Sequence, residues 1–190
     1  VFKDLGMLVL DEEQRFGVED KEKIKALKTN VDVLSMSATP IPRTLYMALS
    51  GMKDISLITT PPKERVAVET FVVQESDALI RDTILREKDR GGQVFVVYNR
   101  VKGIEFFVSR LKELVPEVSV VYAHGQMDEE TLENNVFAFS QGEYDVLVCT
   151  TIIENGIDIP NANTIIVFDS DRMGLGQLYQ LRGRVGRSDK

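Results

Sequence analysis

Three consecutive carboxylates follow the first apolar run of the chain. Asp11, Glu12 and Glu13 come directly after the segment LGMLVL, which has the composition of a buried β-strand. Open α/β sheets bind ligands beyond the carboxyl ends of their strands, and carboxylates there can hold hydrated Mg²⁺ or accept a proton from an attacking water. This position suits a magnesium-bound nucleotide, and a solvated loop or helix cap is the alternative.

Small hydroxyl residues end the next apolar run. Ser37 and Thr39 follow the run from Val31 to Met36, and the sequence PIPRT after them predicts a turn into a helix. Hydroxyl groups at this position could hydrogen-bond the carboxylates of the adjacent strand and report on their state. Capping of the following helix is an equal alternative.

A third group lies in the segment VLVCTTIIENGIDIPNANTII, which has the pattern of a strand, a polar loop and a second strand. Gly156 would allow the backbone to approach a ligand closely. Asp158 could contact a sugar hydroxyl or a cation. A plain connection between the two strands is the alternative.

The last segment, QLYQLRGRVGRSDK, spaces Arg182, Arg184 and Arg187 along a helix end. Guanidinium groups offer forked donors to phosphate oxygens and stay charged at any working pH. The net charge of −7 by itself disfavours a polyanionic partner. However, Glu113 to Asp171 contains twelve acids and no Lys or Arg, whereas Arg172 to Lys190 contains five bases and one acid. The chain therefore ends in a basic patch, which binds phosphates specifically or polyanions loosely.

Composition excludes several other kinds of site. A single cysteine, Cys149, and a single histidine, His124, exclude a disulfide framework and a cysteine-based zinc site. No apolar run approaches the roughly 20 residues that a bilayer-crossing helix needs. The first residues, VFKDLG, lack the pattern of a signal peptide. We therefore expect a cytoplasmic protein without a membrane partner.

Short β-branched runs alternate with helix-length amphipathic stretches, which predicts βαβ units and a mostly parallel sheet. The polar segment TTPPKERV, Thr59 to Val66, contains a double proline that indicates a linker between two lobes. Asp128 is a natural N-cap for the helix after it. The predicted strands are Leu5–Leu10, Val31–Ser37, Ile55–Ile58, Val66–Val73, Gln93–Tyr98, Val118–Tyr122, Asp145–Cys149 and Thr164–Phe168. The predicted helices are Glu19–Lys28, Pro42–Leu49, Asp77–Lys88, Lys102–Leu114, Asp128–Phe139 and Leu175–Leu181.

The order of these segments carries a specific resemblance. DEEQ, SAT, TTIIENGIDIP and QLRGRVGR resemble motifs II, III, V and VI of superfamily-two helicases and translocases. The longer stretches DEEQRFGV, CTTIIENGIDIPNANTII and GQLYQLRGRVGRS are similar to the bacterial transcription-repair coupling factor family, and the similarity covers essentially the whole chain. Branched-DNA helicases of the RecG type share RFGV, PIPRT and QLRGRVGR. The sequences SGMKDIS, TTPP and VYN favour the coupling-factor family.

The resemblance implies roles for the carboxylates and hydroxyls of the first half of the chain. Asp11 would hold Mg²⁺ through water, and Glu12 would activate the water that hydrolyses ATP. Ser37 and Thr39 would couple hydrolysis to movement of the DNA track. The implied cofactors are therefore ATP and Mg²⁺.

In the second half, the resemblance implies that Gly156 and Asp158 face the nucleotide. Arg184 and Arg187 would reach the γ-phosphate, with Arg187 resembling an arginine finger, and Gln180 would orient their helix. Four further residues correspond to positions that line the nucleic-acid path of such motors. These residues are Asn99, His124, Thr150 and Thr151.

Two residues and one motif depart from the family pattern. Gln14 stands where histidine is usual and Asn155 where threonine is usual, so individual contacts differ. No glycine-rich loop ending in Gly-Lys-Ser/Thr occurs in the 190 residues, so the groups that cradle the β- and γ-phosphates are missing. We therefore expect the intact parent protein to be an ATPase and this chain alone to be inactive.

The sequence pattern and the resemblance together predict an α/β fold with RecA-like parallel sheets flanked by helices. Residues 1–61 would form the C-terminal part of a first ATPase lobe, and residues 62–190 a second, helicase C-terminal lobe. The implied function is part of an ATP-dependent double-stranded DNA translocase that displaces stalled RNA polymerase and couples transcription to nucleotide excision repair. RNA polymerase and repair proteins would bind through domains outside this chain. The alternatives are a branched-DNA helicase of the RecG type and a non-catalytic RecA-like module that binds nucleic acid or protein.

Overall fold

The computed structural model describes residues 4–12, 16–27, 31–37, 54, 56–58, 60, 67–151 and 159–186. The chain divides into two compact units, Val1–Ile58 and Thr59–Lys190. The assignment of these units to the two predicted motor lobes stays a prediction. In the described part of the chain, no helix is long and apolar enough to cross a membrane.

The first unit contains a β-α-β arrangement. Strand β1 (Met7–Asp11) pairs in parallel with β2 (Asp32–Met36), and helix α1 (Val18–Leu27) connects them. A parallel pair requires a crossover connection of this kind. The predictions of two strands and an intervening helix are confirmed here. The helix predicted at Pro42–Leu49 lies outside the described residues.

The second unit is built on a four-stranded parallel sheet in the order β4-β5-β3-β6. The bounds of its helices and of these four strands agree with the predicted bounds to within two residues. The strands are β3 (Gln93–Val97), β4 (Val120–Ala123), β5 (Val146–Cys149) and β6 (Ala162–Val167). The helices are α2 (Asp77–Asp89), α3 (Ile104–Leu114), α4 (Glu129–Ser140) and α5 (Leu175–Arg182), with a 3₁₀ turn at Ser170–Arg172.

Both faces of this sheet are covered, which explains the continuous apolar run of β3. Val94 and Val96 pack into one cluster with residues of α2 and α3, whereas Phe95 and Val97 pack into a second cluster. Residues of α4 and α5, including Phe139, contribute to the second cluster. Successive side chains of a strand point to opposite faces, so a strand between two layers must be apolar throughout.

The start of α4 is fixed by the predicted cap. The Asp128 carboxylate accepts a hydrogen bond from the Thr131 backbone N–H at 2.8 Å. This bond satisfies one of the amide groups that a helix leaves unpaired in its first turn. The same bond is the main cause that holds the pKa of the Asp128 carboxyl below its usual value.

Two strand predictions are wrong in the described residues. Residues 56–58 and 67–73 form no strand, although the second stretch contains Phe71, Val72 and Val73. These three side chains are exposed, Val72 to 93%. A β-branched run favours extended backbone, but it becomes a strand only when a neighbouring strand accepts and donates the ladder hydrogen bonds. That pairing depends on distant residues and is not encoded in the run itself.

Candidate functional site

The candidate site of the first unit lies where β1 and β2 end. Asp11 is in register with Met36, and the Glu12 backbone N–H donates to the Met36 carbonyl at 3.0 Å. The Ser37 hydroxyl donates to Glu12 Oε2 at 3.2 Å. The contact expected between the hydroxyl of one strand and the carboxylate of its neighbour is therefore present, whereas the roles of both residues stay predictions.

Glu12 has an unusual backbone conformation. Its φ angle is 49°, in the left-handed region, and among described residues only Asp169, at 50°, shares this feature outside glycine. Non-glycine residues are rare in this region, and such conformations persist where the surrounding structure fixes them, often at functional sites. The hydrogen bonds to Met36 and Ser37 provide that fixation.

Asp11 provides a carboxylate that suits Mg²⁺. The residue is exposed at the end of β1, next to the Ser37-bonded Glu12. Magnesium takes one or two protein carboxylates and keeps several waters, so it does not need a cage of protein ligands. Among the described residues no cluster of three potential His, Cys, Asp or Glu ligands occurs. The chemistry of Asp11 fits a metal held through water.

In the second unit, the polar candidates follow the carboxyl ends of adjacent strands. Ala123, Cys149 and Val97 are in register across β4, β5 and β3, and Val97 is also in register with Val167 of β6. All four strands therefore end at one level. We define the carboxyl edge as the residues that follow them, namely 98–100, 124, 150–151 and 168–169. The structure brings Asn99, His124, Thr150 and Thr151 together on this edge.

These four residues differ in how firmly they are held. Asn99 is exposed and Thr151 is half-buried. Thr150 is buried, and its backbone N–H donates to the Ala123 carbonyl at 3.4 Å. His124 Nδ1 accepts a hydrogen bond from the Gln126 backbone N–H at 3.3 Å, so a neutral ring carries its proton on Nε2. His124 and Asn99 can therefore both donate hydrogen bonds to phosphate oxygens from this edge.

Helix α5 positions the arginine candidate that the structure describes. Leu181 and Val185 are fully buried and anchor the end of α5 in the second core cluster. Arg184 lies between them, half-buried, with its backbone N–H bonded to the Leu181 carbonyl at 2.9 Å. Gln180 is also half-buried. Gly186 has a φ angle of 72°, which a glycine adopts at little cost.

Four predicted site residues lie outside the described residues. These are Thr39, Gly156, Asp158 and Arg187. Gln14 and Asn155, the two departures from the family pattern, lie there as well.

Sequence reasoning passed over one ion pair on the carboxyl edge. Arg100 Nη2 contacts Asp169 Oδ2 at 2.6 Å. The signal available in the sequence was that each residue closely follows a predicted strand. The contact itself required knowledge that β3 and β6 are neighbours.

The chain is similar in sequence to helicases and to transcription-repair-coupling factors. The helicase conserved C-terminal domain matches residues 75–189. The chain is 60% identical over 190 residues to the transcription-repair-coupling factor of Bacillus subtilis. It is 54% identical over 189 residues to that of Staphylococcus aureus. In both comparisons the whole chain is covered but only 16% of the relative, so the chain spans about a sixth of their length.

Solved structures show the same fold. RecG bound to a three-way DNA junction is 37% identical with a TM-score of 0.73, and the match covers 98% of this chain and 25% of that one. S. cerevisiae Dbp5 bound to RNA and ADP BeF3 is 20% identical with a TM-score of 0.68, covering 98% and 52%. The likeness to Dbp5 concerns the fold alone. The predicted class of parallel sheets flanked by helices is confirmed.

Proposed function

The chain belongs to the helicase conserved C-terminal domain family, and we propose that it forms part of the motor of an ATP-dependent translocase on double-stranded DNA. The observation that carries this proposal is the carboxyl edge, where four parallel strands end at one level beside Asn99, His124 and Thr150. Open α/β sheets bind ligands at such an edge. The hydrogen-bond donors of this edge are not arranged to read base edges. They therefore suit the phosphate backbone, which carries no sequence information.

The finer proposal is that the parent protein displaces stalled RNA polymerase and couples transcription to nucleotide excision repair. It is supported by the 60% identity to the Bacillus subtilis coupling factor over the full chain. RNA polymerase and repair proteins would bind through regions outside these 190 residues. A cytoplasmic location follows from that role.

Hydrolysis would use the residues at the ends of β1 and β2. Bound Mg²⁺ would neutralise phosphate charge, and Asp11 would hold it through water. Glu12 would accept a proton from the water that attacks the γ-phosphate. The Ser37 hydroxyl, 3.2 Å from Glu12 Oε2, would orient that carboxylate, and with Thr39 it would link hydrolysis to DNA movement.

The arginine-rich end of the chain would stabilise the transferring phosphoryl group. Arg184 and Arg187 would donate to the γ-phosphate, Gln180 would orient their helix, and Gly156 and Asp158 would face the nucleotide. Charge on the phosphoryl oxygens develops in the transition state, where forked guanidinium donors act most strongly. The chain lacks a Gly-Lys-Ser/Thr phosphate loop, so we propose that it does not hydrolyse ATP on its own.

A RecG-type activity on branched DNA is the second candidate. It is favoured by the 37% identity and the TM-score of 0.73 to RecG. Comparing turnover on linear duplex with turnover on a three-way junction separates the two. A translocase that clears polymerase should be stimulated fully by linear duplex, whereas a fork helicase should require the junction.

The first test is ATP hydrolysis by the intact parent protein with and without duplex DNA. Glu12→Gln should abolish DNA-stimulated turnover, because the amide cannot accept the proton, while ATP binding is retained. Glu22→Gln is the matched control, since Glu22 is an exposed helical carboxylate of the same unit. Equal DNA-stimulated turnover in wild type and Glu12→Gln would exclude the catalytic role of Glu12, whereas absence of turnover in the wild type would favour a non-catalytic module.

A further inference from the structure

An ion pair joins two loops of the carboxyl edge that are far apart in sequence. Arg100 Nη2 lies 2.6 Å from Asp169 Oδ2, and the two residues are 69 positions apart. The side chains are 49% and 36% exposed. Ion pairs with this much solvent contact contribute little to folding stability. Stability alone therefore does not account for the contact.

The roots of both loops are fixed by packed aromatic rings. Tyr98, which follows β3, stacks on Phe107 of α3 with centroids 4.4 Å apart. Phe168, which follows β6, packs edge-on against Phe107 at 4.9 Å. The Phe168 backbone N–H also donates to the Val97 carbonyl at 3.0 Å. Arg100 and Asp169 thus extend from rigid bases, and their ion pair determines how the loop tips sit relative to each other.

Each partner is placed next to a different part of the proposed machinery. Arg100 directly follows Asn99, the candidate DNA contact of this loop. Asp169 begins the 3₁₀ turn, where its carbonyl accepts from the Arg172 backbone N–H at 3.0 Å. Three residues after Arg172 the chain enters α5, which leads to Arg184. One end of the pair therefore lies on the DNA side and the other on the segment that carries the nucleotide-side arginine.

The backbone at Asp169 supports a specific role for this residue. Its φ and ψ angles are 50° and 40°, a left-handed conformation that aspartate and asparagine tolerate better than most residues. The ion pair and the bond from Arg172 hold that conformation in place. Loss of the ion pair would therefore free both the loop after β3 and the start of the segment before α5.

We propose that the Arg100–Asp169 ion pair is a clasp that transmits DNA binding to the nucleotide-side helix α5. This inference rests on the proposed function. Both residues act as positioning residues. The clasp keeps Asn99 and α5 in a fixed relation, so that DNA contact at Asn99 changes the position of the arginines that follow α5. Direct phosphate binding by Arg100 is disfavoured, because its guanidinium is already engaged in the ion pair with Asp169.

The clasp is tested by neutral substitutions in the intact parent protein. Arg100→Gln and Asp169→Asn each delete one charge, and asparagine keeps a side-chain type that suits the left-handed backbone. Each should lower the maximal DNA stimulation of ATP turnover by roughly threefold to tenfold, the range typical of coupling residues. Basal turnover and the thermal midpoint should stay unchanged. The double variant should be no worse than either single variant, since one contact is lost in all three.

The charge-reversed pair provides the sharper version. Arg100→Asp combined with Asp169→Arg should restore stimulation above that of Arg100→Asp alone, because the clasp re-forms with opposite polarity. Failure of the reversed pair to recover, at an unchanged thermal midpoint, would overturn the clasp. Multiplying losses in the neutral double variant would also overturn it, since they indicate independent roles. So would tighter DNA binding by Asp169→Asn, which is expected if the carboxylate only repels phosphate.

Failure of the clasp can be told apart from failure of the proposed function. The translocase proposal fails if the wild-type parent protein shows no DNA-stimulated turnover, or if that turnover persists in Glu12→Gln. In either case the clasp fails with it. If wild type is stimulated and the two neutral variants are stimulated equally well, only the clasp is excluded.

Discussion

The two edges of the sheet in the second unit contain similar types of polar residue. They differ in whether the hydrogen-bonding groups of these side chains are bonded within the fold. On the carboxyl edge, Asn99 is exposed and His124 keeps one ring nitrogen for a partner outside the loop. The amino edge consists of the residues where the strands begin, together with the end of α2. There, the side chains of Glu87, Lys88 and Asp145 are hydrogen-bonded within the fold. The contrast indicates that the amino edge holds the sheet together and the carboxyl edge is left available for ligands.

Asp145 accepts several hydrogen bonds on the amino edge. Its Oδ2 accepts from the Ser119 backbone N–H at 2.7 Å, from the Ser119 hydroxyl at 3.0 Å and from Lys88 Nζ at 2.9 Å. Burial by itself would raise the pKa of the Asp145 carboxyl, but the bonds from Ser119 and Lys88 outweigh it and hold the pKa below its usual value. The carboxylate joins α2, β4 and β5 at their ends.

Glu87 is a second saturated carboxylate on the amino edge. It is only 1% exposed, and it accepts from Arg90 Nε at 3.0 Å and from the Thr164 hydroxyl. Gly92 packs directly against it, because a Cβ built on Gly92 would lie 1.7 Å from Glu87 Oε1. A buried carboxylate in such a network restricts its neighbours rather than binding a ligand.

The largest effect is expected beyond the carboxyl edge, at the arginine-rich end of the chain. If Arg187 acts as the proposed arginine finger, Arg187→Ala should lower ATP turnover of the intact parent by roughly three to five orders of magnitude, while ATP affinity changes much less. Arg182→Ala is the control, since Arg182 stacks on Tyr179 with its guanidinium carbon 4.8 Å from the ring centroid. Turnover within a few-fold of wild type would exclude Arg187 as the finger and make Arg184 the residue to test.

A change on the amino edge should act on stability instead. Gly92→Ala forces a methyl group into the pinned Glu87 side chain, and overpacking of this kind costs about 2 kcal/mol. Urea unfolding of the chain measures the loss. Gly174→Ala is the control, because a Cβ there would meet only Gln177 Oε1, at 3.7 Å. A Gly92→Ala variant as stable as Gly174→Ala would contradict the packing described for Glu87.

The smallest effect concerns pH. The folded-state pKa of Asp145 is lowered, so its stabilising contribution is fully present above its ordinary value of 3.8 and is lost as pH falls through the folded-state pKa. In Asp145→Asn this part of the acid sensitivity should disappear, at a cost near neutral pH of about 1 kcal/mol. Urea midpoints measured between neutral and strongly acidic pH test this. Parallel acid profiles in wild type and variant would contradict the assigned hydrogen bonds.

Much of the second unit could be predicted from sequence because its signals are local. The run QVFVV at Gln93–Val97 is apolar on both faces, which predicts a strand between two layers, and Asp128 is a recognisable cap. Pairing is not local. The run that includes Phe71 to Val73 has the composition of a strand but forms none in the structure, because no described strand takes its ladder bonds.

The candidate site was predictable to a similar extent. Residues that follow strands, such as Asn99 and His124, could be placed on a common edge once a parallel sheet was predicted. The Arg100–Asp169 contact could not, because it depends on β3 and β6 being neighbours although β4 and β5 intervene in the chain. The hydrogen bond that Glu87 accepts from Thr164 could not be predicted either, since the two residues are 77 positions apart.

The most direct test of the account compares the two edges in one DNA-binding experiment. In the intact parent, Asn99→Ala with His124→Ala removes two donors from the carboxyl edge, whereas Gln141→Ala with Asn161→Ala removes two exposed, uncharged polar side chains from the loops that lead into β5 and β6, at the opposite end of the strands. Fluorescence anisotropy with labelled duplex DNA at fixed salt measures affinity. We expect about a tenfold loss of affinity for the carboxyl-edge pair, from two hydrogen bonds, and no change for the pair at the opposite end of the strands. Equal affinities for the two double variants, or a loss confined to the amino-edge pair, would contradict it.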